Sequence, residues 1–318
     1  MKTLRLHAAG DLRLHDEPLP VAQPDESLIR VTAVGICGSD LHWFGEGAIG
    51  DAKLARPLVL GHEFAAITSE GARVAVDPAV PCDACEYCAS QRAHLCPRTR
   101  FAGHASCDGA LREWMAWPTR NLIPLPDSLS NEDGAMLEPL GVAIHAIRLA
   151  QVQPGATVGV FGCGAIGLLV AQVARARGAG RVLVSDPLPH RVRAATALGN
   201  WAQEWDRSAC VNVALDCSGS NGAVQDAMQA VEIGGRAVLV GIPDDDRTTF
   251  IASVARRKEL TIQLSRRMNN TYHEAIELVM RGLVDVRCIA SHEFALDDAA
   301  RGFGVAHRRE GLKVIIKP

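Results

Sequence analysis

The sequence predicts an α/β protein in two parts, a β-rich domain followed by a doubly wound, mainly parallel sheet. Three observations carry that prediction. Residues 1–126 hold short strand-like runs broken by Pro and Gly. Residues 157–186 read as buried strand, glycine-rich turn, apolar helix, strand and a terminal Asp. Beyond Asp186 strands and helices keep alternating to the C-terminal Lys313-Val314-Ile315-Ile316.

A chain of 318 residues with 48% apolar content has room for two domains with cores of their own. Its net charge of -3, mixed in sign throughout, gives no electrostatic case for nucleic acid or an anionic membrane surface. Met1 to His7 open no signal-peptide core and no stretch approaches a membrane span, so a cytoplasmic protein is expected. Ten cysteines without a secretion signal point to metal binding or free thiols.

In chain order, Leu28-Ile29-Arg30-Val31-Thr32-Ala33-Val34 is a strand that leads into Gly35-Ile36-Cys37-Gly38-Ser39-Asp40-Leu41-His42-Trp43. Leu58-Val59-Leu60 leads into Gly61-His62-Glu63. A thiolate, an imidazole and a carboxylate among glycines suit a borderline-soft divalent cation, for which zinc is the usual occupant. Ala72 to Val76 is another strand, ended by Asp77-Pro78. Cys82, Cys85, Cys88 and Cys96 then follow within one polar loop. Four thiolates at this spacing close a tetrahedral site with no open position, so a metal here is structural and holds a lobe with little core. Asn131 to Met136 starts an apolar helical run containing Glu138-Pro139-Leu140, and Val142–Ala150 reads as a linking helix.

Thr157 to Phe161, then Gly162-Cys163-Gly164-Ala165-Ile166-Gly167 and the helix Leu168–Arg177, precede the strand Arg181–Ser185 and Asp186. The glycines let amides at a helix N-terminus approach a pyrophosphate, and Asp186, 19 positions beyond Gly167, suits a ribose 2′-hydroxyl and repels a 2′-phosphate. NAD is therefore favoured over NADP, with Arg191 close enough to bear on the choice. Strands at 211–215, 236–240 and 260–264, separated by helices such as Gly222–Ala230, extend the parallel sheet. His145, the scattered Cys107, Cys163, Cys210, Cys217 and Cys288, the acidic Asp244-Asp245-Asp246 and the basic Arg256-Arg257-Lys258 read as packing residues or solvated faces.

With these residues in hand the chain resembles the zinc-dependent medium-chain dehydrogenase/reductase superfamily, closest in pattern to its polyol branch of sorbitol and L-idonate 5-dehydrogenases. The resemblance rests on the segments around Cys37 and His62, the four-Cys loop, Glu138-Pro139-Leu140-Gly141-Val142, and Arg267 followed by Asn270-Thr271-Tyr272. It implies a GroES-like catalytic domain over 1–141, with a structural-zinc lobe at 82–96. A Rossmann NAD-binding domain over 142–266 and a segment 267–318 returning to the catalytic domain would follow, with the active site in the cleft between domains. It implies one catalytic and one structural zinc, held by Cys37, His62 and an acid, and by the four cysteines. Glu63 would be the direct acidic ligand and Glu138 the water-linked one, although either could exchange. Ser39 and His42 would relay the substrate proton, Trp43 and Phe44 would wall the pocket or serve as ordinary core aromatics, and Arg267 would bind a polyol or sugar acid. Gly162, Gly164, Ala165, Ile166, Gly167, Asp186 and Arg191 would meet the dinucleotide. The implied reaction is hydride transfer between a secondary alcohol of a polyol or sugar acid and NAD, in a homodimer or homotetramer.

Three departures from the family pattern stand out. Glu63–Arg73 and Gly199–Asp216 are both short, which predicts a trimmed Rossmann edge, and Met268 stands where sorbitol dehydrogenases carry Tyr. A threonine-type amino-alcohol dehydrogenase and a non-catalytic cofactor-binding protein of the same fold are the competing readings.

Overall fold

The computed structural model describes residues 1–318, which divide into two compact units, Met1–Glu138 with Val286–Pro318, and Pro139–Asp285. In the first unit a hairpin of β1 (Lys2–Ala8) and β2 (Asp11–Asp16) precedes β3 (Glu26–Gly35), helix α1 (Gly38–Glu46), β4 (Glu63–Thr68), β5 (Arg73–Val76), β6 (Trp114–Pro118) and β7 (Leu122–Pro124). Helix α2 (Leu137–Ala150) begins with Pro139 in its first turn, where a missing N–H removes no helical bond. The second unit continues with β8 (Thr157–Phe161), α3 (Ala165–Ala176), β9 (Arg181–Ser185), β10 (Ala202–Glu204), β11 (Val211–Asp216), α4 (Asn221–Ala230), β12 (Val231–Leu239) and β13 (Thr261–Leu264). After α5 (Tyr272–Met280) the chain returns to the first unit as β14 (Ala290–Ala295), α6 (Ala299–His307) and β15 (Lys313–Lys317).

The first unit is built on a seven-stranded sheet in the order β7-β5-β4-β3-β15-β14, with β6 also on β3. All its pairings are antiparallel except β14 with β15, which are parallel and joined by α6. β3 is the hub, and Ile29, Val31, Ala33 and Val34 on it are fully buried. Its end, Gly35, sits in register with Glu63 at the start of β4 and with Ile315 of β15. That registration delivers three strands to one place, and the metal-type donors lie there.

The second unit holds a six-stranded parallel sheet in the order β10-β9-β8-β11-β12-β13. Strand order reverses beside β8, the switch point at which open α/β sheets bind ligands. Residues 267–285, expected with the returning segment, belong to this unit. A Cβ on Gly141 would meet Thr271 Oγ1 at 2.5 Å and Met268 Sδ at 2.6 Å, so that glycine lets α2 seat against the 268–271 turn.

The trimmed edge takes a definite form. β10 survives as three residues paired to β9, but the six residues Trp205–Cys210 run from it to β11 with no crossover helix. Crossing three strand spacings covers ~14 Å, and seven Cα steps reach up to ~24 Å, so an extended connection suffices. Trp205 covers the sheet face that a helix would otherwise cover. Its ring meets Phe161 edge-on at 5.0 Å, its Nε1–H donates to Ala209 O at 2.9 Å, and it is 8% exposed. Arg207 lies over that ring at 5.6 Å and forks onto Asp226 of α4 with two bonds of 3.1 Å.

Two readings of isolated residues need correcting. Cys210 and Cys288 are exposed and not packing residues, whereas Cys163 is buried and Cys107 and Cys217 are half-buried. Lys258 does not belong to a solvated face. Its ammonium donates to Gln229 O at 2.5 Å and Val231 O at 2.7 Å, neutralising the carbonyl end of α4. Of the two roles open to Trp43 and Phe44, pocket wall or core aromatic, the packing favours the second: Phe44 packs on Phe303 and His307 of α6, and Trp43 is 1% exposed within the same core. No helix is long and apolar enough to cross a membrane.

Candidate metal centre and dinucleotide site

Cys37, His62 and Glu63 converge, with one donor atom of each within 4.8 Å of the others. Local chemistry explains why. Cys37 is the N-cap of α1, and Asp40 one turn on accepts its N–H at 2.9 Å through Oδ2. The other Asp40 oxygen accepts Gly61 N–H at 3.1 Å and lies 3.5 Å from His62 Nδ1. One carboxylate thus ties the cysteine segment to the histidine segment and takes up Nδ1, leaving Nε2 as the donor that can face a metal. Ser39 Oγ lies 3.4 Å from that Nε2. Burial disfavours a charge on His62, but Asp40 and Cys37 outweigh it and hold the imidazole's pKa well above its usual value.

The His62 segment is clamped from the other side. Gly109, Ala110 and Leu111 donate to Val59 O, Gly61 O and Leu60 O at 2.7, 2.9 and 3.0 Å. Gly103 and Gly109 press backbone on backbone there, and a Cβ on either would strike Gly61. Phe101 from the same loop lays its ring 5.3 Å from that of His62.

Glu63 is fully buried and forms an ion pair with Lys313 of β15. The ammonium reaches its two oxygens at 2.8 and 2.6 Å and donates a third bond to Ile36 O at 3.0 Å. Burial works against the Lys313 charge, but Glu63 and Cys37 raise its pKa on balance, so it stays an ammonium. Gly35 makes this pair possible, because a Cβ there would collide with Glu63 Oε2. Glu138, buried in the first turn of α2, lies outside the three-residue set. Burial pushes its carboxyl up to about 7, and Glu63 and Asp77 add to that shift while His62 and Lys313 oppose it.

Asp40 and Lys313 were missed as site residues in the sequence. Asp40 carried a signal, an acid three residues after an N-cap. Lys313 carried none.

Cys82, Cys85, Cys88 and Cys96 form a second set, again with every sulfur within 4.8 Å of the others. Cys85 and Cys88 sulfurs are 3.4 Å apart and Cys96 accepts the Cys82 N–H at 3.4 Å. Sulfurs this close without disulfide bonds suit a tetrahedral thiolate site.

In the second unit β8 is followed by Gly162, whose φ of +100° favours glycine and whose N–H donates to Ser185 O at 2.7 Å. Gly164 caps α3, and a Cβ on Gly167 would strike Gly162 O, so the helix closes onto its loop. Ala165 and Ile166 open α3. Asp186 is fixed from both sides, accepting Cys163 N–H at 2.8 Å and Leu188 N–H at 2.9 Å. Arg191 Nη1 lies 4.0 Å from its Oδ2 and bends back over Gly164. Arg267 is half-buried on the turn between β13 and α5, and it and Asn270 hold φ values of +55° and +50°, a left-handed strain concentrated in four residues. His42 is 12% exposed at its side chain and lies beside Glu46 on α1.

A family described as alcohol dehydrogenase GroES-like domain matches residues 23–127, and one described as zinc-binding dehydrogenase matches residues 165–281. Sorbitol dehydrogenase of Bacillus subtilis is 34% identical over 343 residues, spanning 100% of this chain and 97% of the relative. A provisional zinc-binding dehydrogenase of Sinorhizobium meliloti, solved with NADP, aligns with a TM-score of 0.90 at 28% identity over 100% of this chain and 99% of that one. L-idonate 5-dehydrogenase of Escherichia coli shares the fold, with a TM-score of 0.92 at 24% identity over 100% and 98% of the two chains.

Proposed function

This chain belongs to the zinc-dependent medium-chain dehydrogenases, on the polyol side of that family, and from that membership we propose that it oxidises a secondary alcohol of a polyol or sugar acid with NAD, and reduces the matching ketone. The observation that carries the reading is the convergence of Cys37, His62 and Glu63 beside the Ser39 hydroxyl. When bound, zinc supplies Lewis acidity to the substrate hydroxyl, and the dinucleotide carries the hydride.

The chain's own residues do the rest. Cys37, His62 and Glu63 would hold the catalytic zinc, with Glu138 as the acid reached through water, and the four cysteines would hold the structural one. Two carboxylates and a thiolate would overcharge a zinc site on their own, and Lys313 removes that objection. With its ammonium counted, the Cys37 thiolate, the Glu63 and Glu138 carboxylates and a divalent cation sum to zero, leaving Asp40 on His62 outside that sum. Asp40 orients His62, and Ser39 takes the substrate's hydroxyl proton at Oγ and passes it toward His42.

Asp186, its carboxylate fixed by two backbone amides, favours a ribose hydroxyl over a 2′-phosphate, which supports NAD. Arg267 would bind a substrate hydroxyl or carboxylate, the latter more tightly. The test is NADH and NADPH formation across polyols, aldonates and L-threonine. Turnover of a polyol or aldonate with kcat/KM higher for NAD is expected. Absence of turnover with every alcohol and both cofactors would refute the reading.

A further inference from the structure

Helix α1 places Ser39, His42 and Glu46 at i, i+3 and i+7, along one face. At one end Ser39 Oγ lies 3.4 Å from the metal-facing nitrogen of His62. At the other, Glu46 Oε1 lies 3.5 Å from His42 Nδ1, and the Glu46 side chain is 50% exposed where that of His42 is 12% exposed. The face therefore runs from a hydroxyl at the candidate metal centre, through a largely enclosed imidazole, to a carboxylate in water. His307, the ring that α6 brings to this helix, packs on Phe44 and Gly45.

We propose that Glu46 is a positioning residue for His42, an inference that rests on the dehydrogenase reading above. A neutral imidazole carries its proton on one nitrogen, and an acceptor fixed at Nδ1 selects the Nδ1–H form. In this proposal the Glu46 carboxylate, 3.5 Å from Nδ1, is that acceptor. It leaves a lone pair at Nε2, the nitrogen that then takes the proton released from substrate. Protonation at Nε2 gives an imidazolium whose Nδ1–H still faces the carboxylate, in the arrangement of an acid at the far side of a catalytic histidine. The Nδ1 proton then leaves through Glu46 to water, so one proton enters and one leaves, and exchange with solvent restores the starting tautomer. The gap in exposure gives this step its direction, because water reaches Glu46 more freely than His42.

The test uses the full zinc-loaded chain. Long-range nitrogen–proton NMR of labelled histidine at pH 8 should show His42 as the Nδ1–H tautomer, shifting toward Nε2–H in Glu46→Ala. Glu46→Ala should lower kcat/KM by about fivefold in dilute buffer, with little change in zinc content. Added formate should restore at least half of the loss, and Glu46→Asp should lose less. In a His42→Ala background the Glu46 change should have no further effect. An Nε2–H tautomer in the unaltered protein, or an undiminished Glu46 effect without His42, would overturn the proposal. If the unaltered protein turns over no alcohol, the dehydrogenase reading fails instead, and the NMR result still decides whether Glu46 sets the tautomer.

Discussion

The Glu63–Lys313 pair shows how one residue can set the character of a site. Both partners are buried, and Lys313 satisfies both carboxylate oxygens and a backbone carbonyl at once. Removing one partner of such a pair leaves an unpaired buried charge. Lys313→Met should therefore lower stability by about 3 kcal/mol, read as a drop in the thermal midpoint. Cys37→Ala should abolish alcohol oxidation while the chain keeps one zinc, measured by metal analysis, because the four-Cys set is separate. The donors themselves were legible in the sequence, because thiol, imidazole and carboxylate among glycines are uncommon except at metals. Lys313 was not, because Lys313-Val314-Ile315-Ile316 reads as an ordinary strand and its partner lies 250 residues away. Only the antiparallel registration of β15 on β3 brings it to Glu63.

At the scale of elements, strand and helix periodicity predicted most of the parallel sheet, and the shortness of Gly199–Asp216 predicted its trimmed edge. What compensates for the missing helix was illegible, because neither Trp205 nor Trp201, four residues before it, lies in an apolar run whose period would mark its role. Trp205 fills that role by ring packing on Phe161, a hydrogen bond to Ala209 and the Arg207 stack. Trp205→Ala should cost about 3 kcal/mol, measured by urea unfolding, with the loss concentrated in hydrogen-exchange protection of β10 and β11. Uniform loss of protection across the whole chain would argue against this local role. Lys258 was missed for a related reason. A basic run looks solvated until a helix end is found beside it.

At the scale of the whole molecule, buried acids shape the dependence of stability on pH. Burial raises the half-buried Asp77 from 3.8 to about 6, while the Ala79 N–H pulls the other way. A carboxyl raised on folding contributes stability that is complete below pH 4 and lost as pH climbs through 6. Asp77→Asn should therefore gain about 2 kcal/mol relative to the unaltered protein at pH 8, and nothing at pH 4. Paired denaturant curves at the two pH values check the sign. The pairing of Lys313 with Glu63 also bears on how the protein is made. A ribosome adds the carboxylate at 63 some 250 residues before the ammonium that balances it. On a nascent chain that acid must stay hydrated, protonated or borrowed by another cation, so a correctly charged zinc pocket is among the last things the growing polypeptide can assemble.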